Sequence, residues 1–172
     1  MKNLFKRAIE GDITILNDPN CSIIKHKYDD RTPLHLLANS GEIKVLSHPD
    51  CSIVKDNGGG TPLHWLALAG KIEALSHPDC SLVKNNGGRT PLHRLAATGE
   101  IKVLNHPDCS KIKDDFGSTP LHELARTGKI EVSDLKKLFP WYLRKKKGRV
   151  TKEEIDKILN TPQAIQYILE ED

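Results

Sequence analysis

The sequence predicts an all-α fold, an α-solenoid of stacked helix-turn-helix repeats with helical caps, and three repeated markers support this prediction. The tetrapeptide Thr-Pro-Leu-His occurs four times in steps of 29 residues, beginning at Thr32, Thr61, Thr90 and Thr119. A glycine follows each threonine after nine residues, at Gly41, Gly70, Gly99 and Gly128. The segment His-Pro-Asp-Cys recurs at 48–51, 77–80 and 106–109. Markers that stay in register define an internal repeat, and such a repeat determines the architecture.

Each repeat is predicted to contain a turn, a helix, a second turn and a short second helix. Threonine followed by proline starts a helix, so we expect one from Pro62 to about Leu68. Gly70 supplies the left-handed residue that ends it. A second apolar run begins at Ile72 and is stopped by Pro78. A unit this small cannot bury its apolar face alone, so the copies must stack.

The turn and first helix resemble a known family. Residues 56–64, Asp-Asn-Gly-Gly-Gly-Thr-Pro-Leu-His, followed by Leu66, Ala67 and Gly70, are similar to the start of an ankyrin repeat. Ankyrin repeats usually run about 33 residues. The missing residues lie where the second helix belongs, so we expect a second helix shortened by one turn, about 3.6 residues. The resemblance also implies that one histidine per repeat joins adjacent turns by hydrogen bonds: His35, His64, His93 and His122.

The repeat pattern divides the chain into an array and a C-terminal part. Residues 1–132 form the predicted array, with an N-terminal capping unit at 1–26 and repeats near 27–55, 56–84, 85–113 and 114–132. Residues 133–172 are predicted to be a helical cap or an appended helical element. Thr-Lys-Glu-Glu at 151–154 predicts a capping box, and Thr161-Pro162 predicts one more helix start.

Composition favours a soluble protein, which we expect to be cytoplasmic and monomeric by itself. Hydrophobic residues make up 37% of the chain and charged residues 28%, as in globular proteins. The net charge of +3 is too small to indicate nucleic acid as a partner. No apolar run approaches the length of about 20 residues that a membrane helix needs. The basic run Arg144–Arg149 is either a functional patch or a solvated linker.

The recurring histidines and cysteines raise a zinc hypothesis, which we keep as the alternative function. A structural zinc site needs about four converging ligands, whereas equivalent positions on stacked helices lie about 8–10 Å apart. Disulfides require Cα atoms within about 7 Å. We therefore expect no metal, no cofactor and free, buried thiols at Cys21, Cys51, Cys80 and Cys109.

Catalysis is not expected from the repeated histidines. Four identical copies cannot each belong to the single asymmetric group of residues that catalysis needs. The glycines at 58–60 precede Thr-Pro instead of the Gly-Lys-Ser/Thr of a phosphate-binding loop, so they are predicted to be turn residues.

A partner-binding surface is predicted from positions that vary between otherwise equal repeats. The resemblance implies that the turn tips and first helices line a concave surface that faces a partner protein. Trp65, flanked by Arg94, is the expected centre because tryptophan and arginine dominate interface energetics; the alternative is that Trp65 fills a groove between helices. The candidate residues are Tyr28, Arg31, Leu36, Asn39, Asn57, Trp65, Leu68, Asn86, Arg89, Arg94, Thr98, Phe116, Ser118, Glu123 and Arg126.

Overall fold

The computed structural model describes residues 3–139 and 150–161, and this part of the chain is helical, with no β-strand. None of the helices within it has both the length and the apolar character needed to cross a bilayer. The α-helices are α1 (Leu4–Ile9), α2 (Pro33–Asn39), α3 (Pro62–Leu68), α4 (Pro91–Ala97), α5 (Pro120–Arg126), α6 (Val132–Leu138) and α7 (Lys152–Leu159).

Helices α2 to α5 begin at the four predicted Thr-Pro sites. In α3, Thr61 has an extended backbone and precedes Pro62 at the first helical position. The backbone N–H of Thr61 donates to Nδ1 of His64, 3.1 Å away, so the histidine closes a capping box. The helix ends at Leu68, and Gly70 follows with a φ of 75°. The predicted start and end of the first helix are confirmed.

The second segment of each repeat differs from the prediction. A shortened α-helix is predicted, but in the N-terminal unit and in the first three repeats the segment consists of two 3₁₀ helices, and the segment after α5 contains α6 instead. Each pair is interrupted by a proline, which lacks an N–H and cannot continue the hydrogen-bond ladder. Short 3₁₀ turns then complete the connection. The 3₁₀ helices are Ile13–Asn17 with Pro19–Cys21, Ile43–Ser47 with Pro49–Ser52, Ile72–Ser76 with Pro78–Cys80, and Ile101–Asn105 with Pro107–Ser110.

The α-helices pack in chain order. α1 packs on α2, α2 on α3, α3 on α4 and α4 on α5, and α7 then packs on α5. Each packing layer uses the same two leucines and one alanine, which are buried in every repeat. These positions are Leu34, Leu37 and Ala38; Leu63, Leu66 and Ala67; Leu92, Leu95 and Ala96; and Leu121, Leu124 and Ala125. Their burial drives the packing, since no helix of six to eight residues is stable alone.

The turns before α2 to α5 form a second continuous layer, which we call the turn row (residues 26–31, 56–60, 85–89 and 114–118). Backbone hydrogen bonds join neighbouring turns: Asn57 N–H donates to Asp29 O at 3.0 Å, and Asn86 N–H to Gly58 O at 3.0 Å. The first turn is one residue longer and places Asp30 at a φ of 57°. This extra residue explains why the first cysteine interval is 30 residues and the later ones are 29.

Gly59→Ala is expected to destabilise the protein more than Gly117→Ala. Both glycines have a φ above 70°, where a side chain costs about 1–2 kcal/mol. A Cβ at Gly59 would also lie 2.7 Å from the backbone nitrogen of Asn86, whereas one at Gly117 would meet nothing within 4 Å. Urea unfolding should show a loss of about 1 kcal/mol for Gly117→Ala and about 3 kcal/mol for Gly59→Ala. Equal losses would contradict the tight packing between turns.

Helix α7 occupies the place next to α5. The predicted capping box is confirmed: Thr151 N–H donates to Glu154 Oε2 at 3.0 Å, and Glu154 N–H to Thr151 Oγ1 at 3.3 Å. Val150 and Ile155, on either side of this box, are buried. The predicted helix start at Pro162 and the basic run at 144–149 lie outside the described residues.

Candidate protein-interaction surface

The Thr-Pro-Leu-His histidines join adjacent turns. Nδ1 of His64 accepts the Thr61 N–H, so Nε2 carries the proton and donates to the Arg89 carbonyl at 2.9 Å. His35 and His93 make the same bonds to the Gly60 and Ser118 carbonyls, at 3.1 and 3.0 Å. Burial lowers the pKa of His64 to about 4, which keeps the imidazole neutral. The expected link between repeats is confirmed for these three histidines.

The fourth histidine has a different partner. Nε2 of His122 lies 2.9 Å from Oδ1 of Asp156 on α7, so a side chain replaces the turn carbonyl used by the other three. Burial lowers the pKa of His122, and Asp156 opposes that shift. In the preceding repeats, the histidine donates to a carbonyl of the next turn. For His122 on α5, helix α7 supplies the acceptor instead.

The His-Pro-Asp-Cys segments are built into the scaffold. All four cysteines are free and buried, and burial raises the pKa of each thiol to about 12. In each segment the histidine Nδ1 accepts the N–H of the aspartate two residues later. Within residues 3–139 and 150–161, no group of three or more His, Cys, Asp or Glu side chains is arranged to hold a metal ion.

Aromatic side chains stand at the two ends of the turn row. Tyr28 in the first turn is 72% exposed, and Phe116 in the fourth is 79% exposed. Leu68, at the end of α3, is 43% exposed between them. All three belong to the predicted partner-binding residues. Ile23, Ile53 and Leu82 on the second segments are exposed as well, so it is the aromatic side chains that distinguish the turn row.

Trp65 lies beneath the turn row and is half-buried. Its indole N–H donates to Asp56 Oδ2 at 2.8 Å, and the Arg31 guanidinium stacks over its ring at 5.0 Å. One part of the indole packs against the core, while another part lines an open cleft. Trp65 therefore fills a groove beside the core with one part of its ring and is accessible at the cleft with another, so each of the two predicted roles fits part of the side chain.

Two predicted interface residues do not lie on an accessible surface. Ser118 is 1% exposed and Glu123 is 6% exposed, so the expectation that a partner contacts their side chains is wrong. Glu123 Oε1 accepts from Arg89 Nη2 at 3.0 Å and from Arg126, and Ser118 Oγ accepts from Arg126. Their role in the structure is to hold two arginines.

A spacing of 34 residues connects the turn row to the next helix. The residue just before Thr-Pro-Leu-His in one repeat contacts the residue just after Thr-Pro-Leu-His in the next repeat. Arg31 contacts Trp65 in this way, and Arg89 contacts Glu123. The corresponding pair in the middle is Gly60 with Arg94. Because Gly60 has no side chain, a cleft of ≈ 220 Å³ opens there. It is lined by Asp56, Gly58, Gly60, His64, Trp65, Leu68, Asn85 and Arg94.

A second cleft of ≈ 250 Å³ lies one repeat earlier. Its lining is Phe5, Ile9, His26, Asp29, Arg31 and Leu36. The ring centroids of Phe5 and His26 are 5.8 Å apart, and those of His26 and Tyr28 are 5.6 Å apart. The predicted residues Arg31 and Leu36 therefore share a partly aromatic site. Phe5, Ile9 and His26 are not predicted from the sequence, because the N-terminal capping unit that contains them lacks Thr-Pro-Leu-His.

The other predicted residues stabilise the surface or border it. The side-chain amides of Asn57 and Asn86 donate to the carbonyls of Tyr28 and Asn57, at 3.0 and 2.9 Å, and so hold the turns together. Thr98 donates its hydroxyl to the Leu95 carbonyl at 2.7 Å. Asn39 is exposed at the end of α2.

The comparisons with known proteins assign no relative. No protein-family model matches the chain, and no curated protein matches it at a significant level.

Proposed function

We propose that the chain is a solenoid of ankyrin-like repeats with a shortened second segment, and that α7 helps to cap it. Three observations support this architecture. The markers keep a 29-residue register; the Thr-Pro helices pack in chain order; and the turn row is joined by backbone bonds and histidine bonds. Repeats that contact only their neighbours are the defining property of a solenoid.

We further propose that the protein is a non-catalytic scaffold that binds another protein through the turn row and the exposed side of the first helices. One observation carries this proposal: the Thr-Pro-Leu-His positions are buried in every repeat, whereas the two clefts and the exposed aromatic side chains of the described residues lie along the turn row and the first helices. Tyr28, Leu68 and Phe116 are exposed there, and Trp65 is half-exposed. Aromatic residues are enriched at protein interfaces. The four free thiols favour a reducing compartment such as the cytoplasm.

The zinc alternative receives little support from the donor groups. A zinc ligand must be a thiolate or a neutral imidazole nitrogen with a free lone pair. All four cysteines are buried, and Nδ1 of His48, His77 and His106 already accepts a backbone N–H. Elemental analysis of protein purified without chelators separates the two functions, because stoichiometric zinc would favour the alternative.

Trp65→Ala is expected to weaken a cognate complex by at least about tenfold while leaving the helical circular dichroism nearly unchanged. The side chain is half-buried at the edge of the core, and the Thr–His bonds at the starts of α2 to α5 do not involve it. Affinity capture of a partner, followed by titration, measures the loss. Leu82→Ala is the control, since Leu82 is an exposed aliphatic residue outside the turn row. Collapse of the helical signal in Trp65→Ala would show that Trp65 is core instead.

A further inference from the structure

Arg94 is the one arginine in the described ranges, 3–139 and 150–161, that has no hydrogen bond or ion pair there. The other arginines are paired: Arg31 with Asp29 at 2.7 Å, Arg89 with Asp114 at 3.1 Å, and Arg126 with Glu123. Arg7 pairs with Asp12. Arg94 is nonetheless half-buried on α4 and lines the ≈ 220 Å³ cleft. Burying part of a guanidinium without a hydrogen-bond acceptor costs free energy, so arginines in proteins are usually hydrogen-bonded.

The nearby carboxylates are already occupied. Asp56 accepts the N–H groups of Gly58 and Gly60 at 2.9 and 2.8 Å, as well as the Trp65 indole N–H. Glu123 is held by two arginines. Burial and the charge of Arg89 lower the pKa of Arg94, and the attraction of Asp56 and Glu123 only partly offsets this. The cleft therefore contains the Arg94 guanidinium, which lacks a direct acceptor, and the Asp56 carboxylate, which already accepts three N–H groups.

The cleft is open because Gly60 interrupts a series of arginines. Arg31 and Arg89 occupy the equivalent position in the neighbouring turns, and each covers the first-helix residue 34 positions later. Gly60 leaves the corresponding space over Arg94 empty, with the Trp65 indole and Leu68 on one side. An apolar wall beside a guanidinium suits a ligand with a short aliphatic stem and a planar anion at its end.

We propose that this cleft, between Trp65 and Arg94, binds an acidic side chain of the partner protein. A glutamate would place its methylene groups against the indole and its carboxylate on the guanidinium, which can donate two parallel hydrogen bonds. A cleft of ≈ 220 Å³ is smaller than the usual small-molecule pocket and fits one side chain. This inference rests on the proposed function and specifies the chemistry of its central contact.

The site is tested with small probes on the intact, ¹⁵N-labelled protein. N-acetyl-glutamate N-methylamide is titrated while the indole N–H signal of Trp65 is followed by NMR. The glutamine analogue, N-acetyl-glycine and inorganic phosphate are titrated in parallel to represent a neutral side chain, a terminal carboxylate and a phosphate. We expect saturable shifts with the glutamate probe and binding at least about tenfold weaker with the other three.

Variants identify the group that binds the probe. Arg94→Gln should weaken glutamate binding at least about tenfold, and Arg94→Lys should lie between, because lysine keeps the charge without the planar fork. Arg7→Gln is the matched control and should bind like the wild type, since Arg7 pairs with Asp12 and does not line the cleft. Equal binding of glutamate and glutamine, tighter binding of glycine or phosphate, or unchanged binding by Arg94→Gln would overturn the proposal.

The two proposals fail in different ways. If a partner is captured and Trp65→Ala weakens it, but Arg94→Gln neither weakens that complex nor affects the glutamate probe, the acidic-side-chain site is wrong and the scaffold function stands. If the glutamate probe binds through Arg94 but no protein partner is captured, the scaffold function is wrong; the cleft then binds an acidic group, but that group is not a partner protein's side chain.

Discussion

The free energy of unfolding is expected to fall as the pH is lowered from about 6.5 towards 4. Burial lowers the pKa of His35, His64, His93 and His122 in the folded chain, whereas an unfolded histidine titrates near 6.5. Below that pH the unfolded state binds protons that the folded state rejects, so stability is lost. The stability is fully present above about 6.5 and declines until the folded pKa is reached, which for His64 is about 4. His64 alone accounts for about 3 kcal/mol.

Urea unfolding at pH 7.0, 6.0 and 5.0, followed by circular dichroism, measures this decline. His64→Gln should be less stable than the wild type at pH 7, but its stability should fall less steeply between pH 6 and 5, by about 1.4 kcal/mol per pH unit. This pH range is separate from the range in which Asp12 and Asp29 titrate. Hydrogen bonds from Thr14 to Asp12 and from Arg31 to Asp29 lower the pKa of each carboxyl group to about 2. A stability independent of pH from 7 to 5 would contradict neutral, buried histidines.

Asp114→Ala should be among the most destabilising single substitutions in the turn row, with a cost of about 3 kcal/mol. The Asp114 carboxylate is fully buried and accepts from Phe116 N–H at 3.0 Å, Ser118 N–H at 2.8 Å and Arg89 Nε at 3.1 Å. Burial opposes its ionisation, yet the Ser118 N–H and the Arg89 guanidinium hold the pKa of Asp114 below its ordinary value. Alanine would leave these donors without their acceptor.

The preceding turn provides the matched control. Asn85 occupies the equivalent position, and its Oδ1 accepts the Gly87 and Arg89 N–H groups, both at 3.0 Å. Asp114→Asn should therefore keep the turn and lose only the ion pair with Arg89, at a cost of about 1 kcal/mol. Denaturant midpoints of the two variants test this order. Equal costs for asparagine and alanine would mean that the two turn N–H bonds contribute nothing to stability.

The first half of each repeat could be predicted from the sequence because its features are local. Thr61-Pro62 fixes the helix start, the leucine and alanine spacing fixes the buried face, and Gly70 fixes the end. The role of the histidine followed from the family resemblance, and the structure shows the bond itself, from His64 to the Arg89 carbonyl. Residues that interact within one repeat leave a pattern that a repeated sequence makes visible.

The second half and part of the surface could not be predicted because other contacts decide them. An i+3 and an i+4 hydrogen-bond pattern fit the same five-residue run, so spacing did not distinguish a 3₁₀ from an α-helix at Ile72–Ser76. Glu123 varies between repeats, yet its partner Arg89 lies 34 residues earlier, in the preceding turn. A position that varies between repeats is predicted to be exposed, whereas Glu123 is buried and paired with Arg89. A search for complementary residues at an offset of 34 would have found it.

Site-specific photo-cross-linking tests the central claim, that the turn row and first helices form the binding surface, most directly. A photoreactive phenylalanine analogue is placed at Leu68, which is exposed beside the Trp65 cleft, or at Leu82, which is exposed outside the turn row. Cross-linking is carried out in living cells of the source species with the full chain. The proposal predicts a discrete cross-linked protein from Leu68 and none from Leu82. Cross-links from Leu82 but not from Leu68 would contradict it.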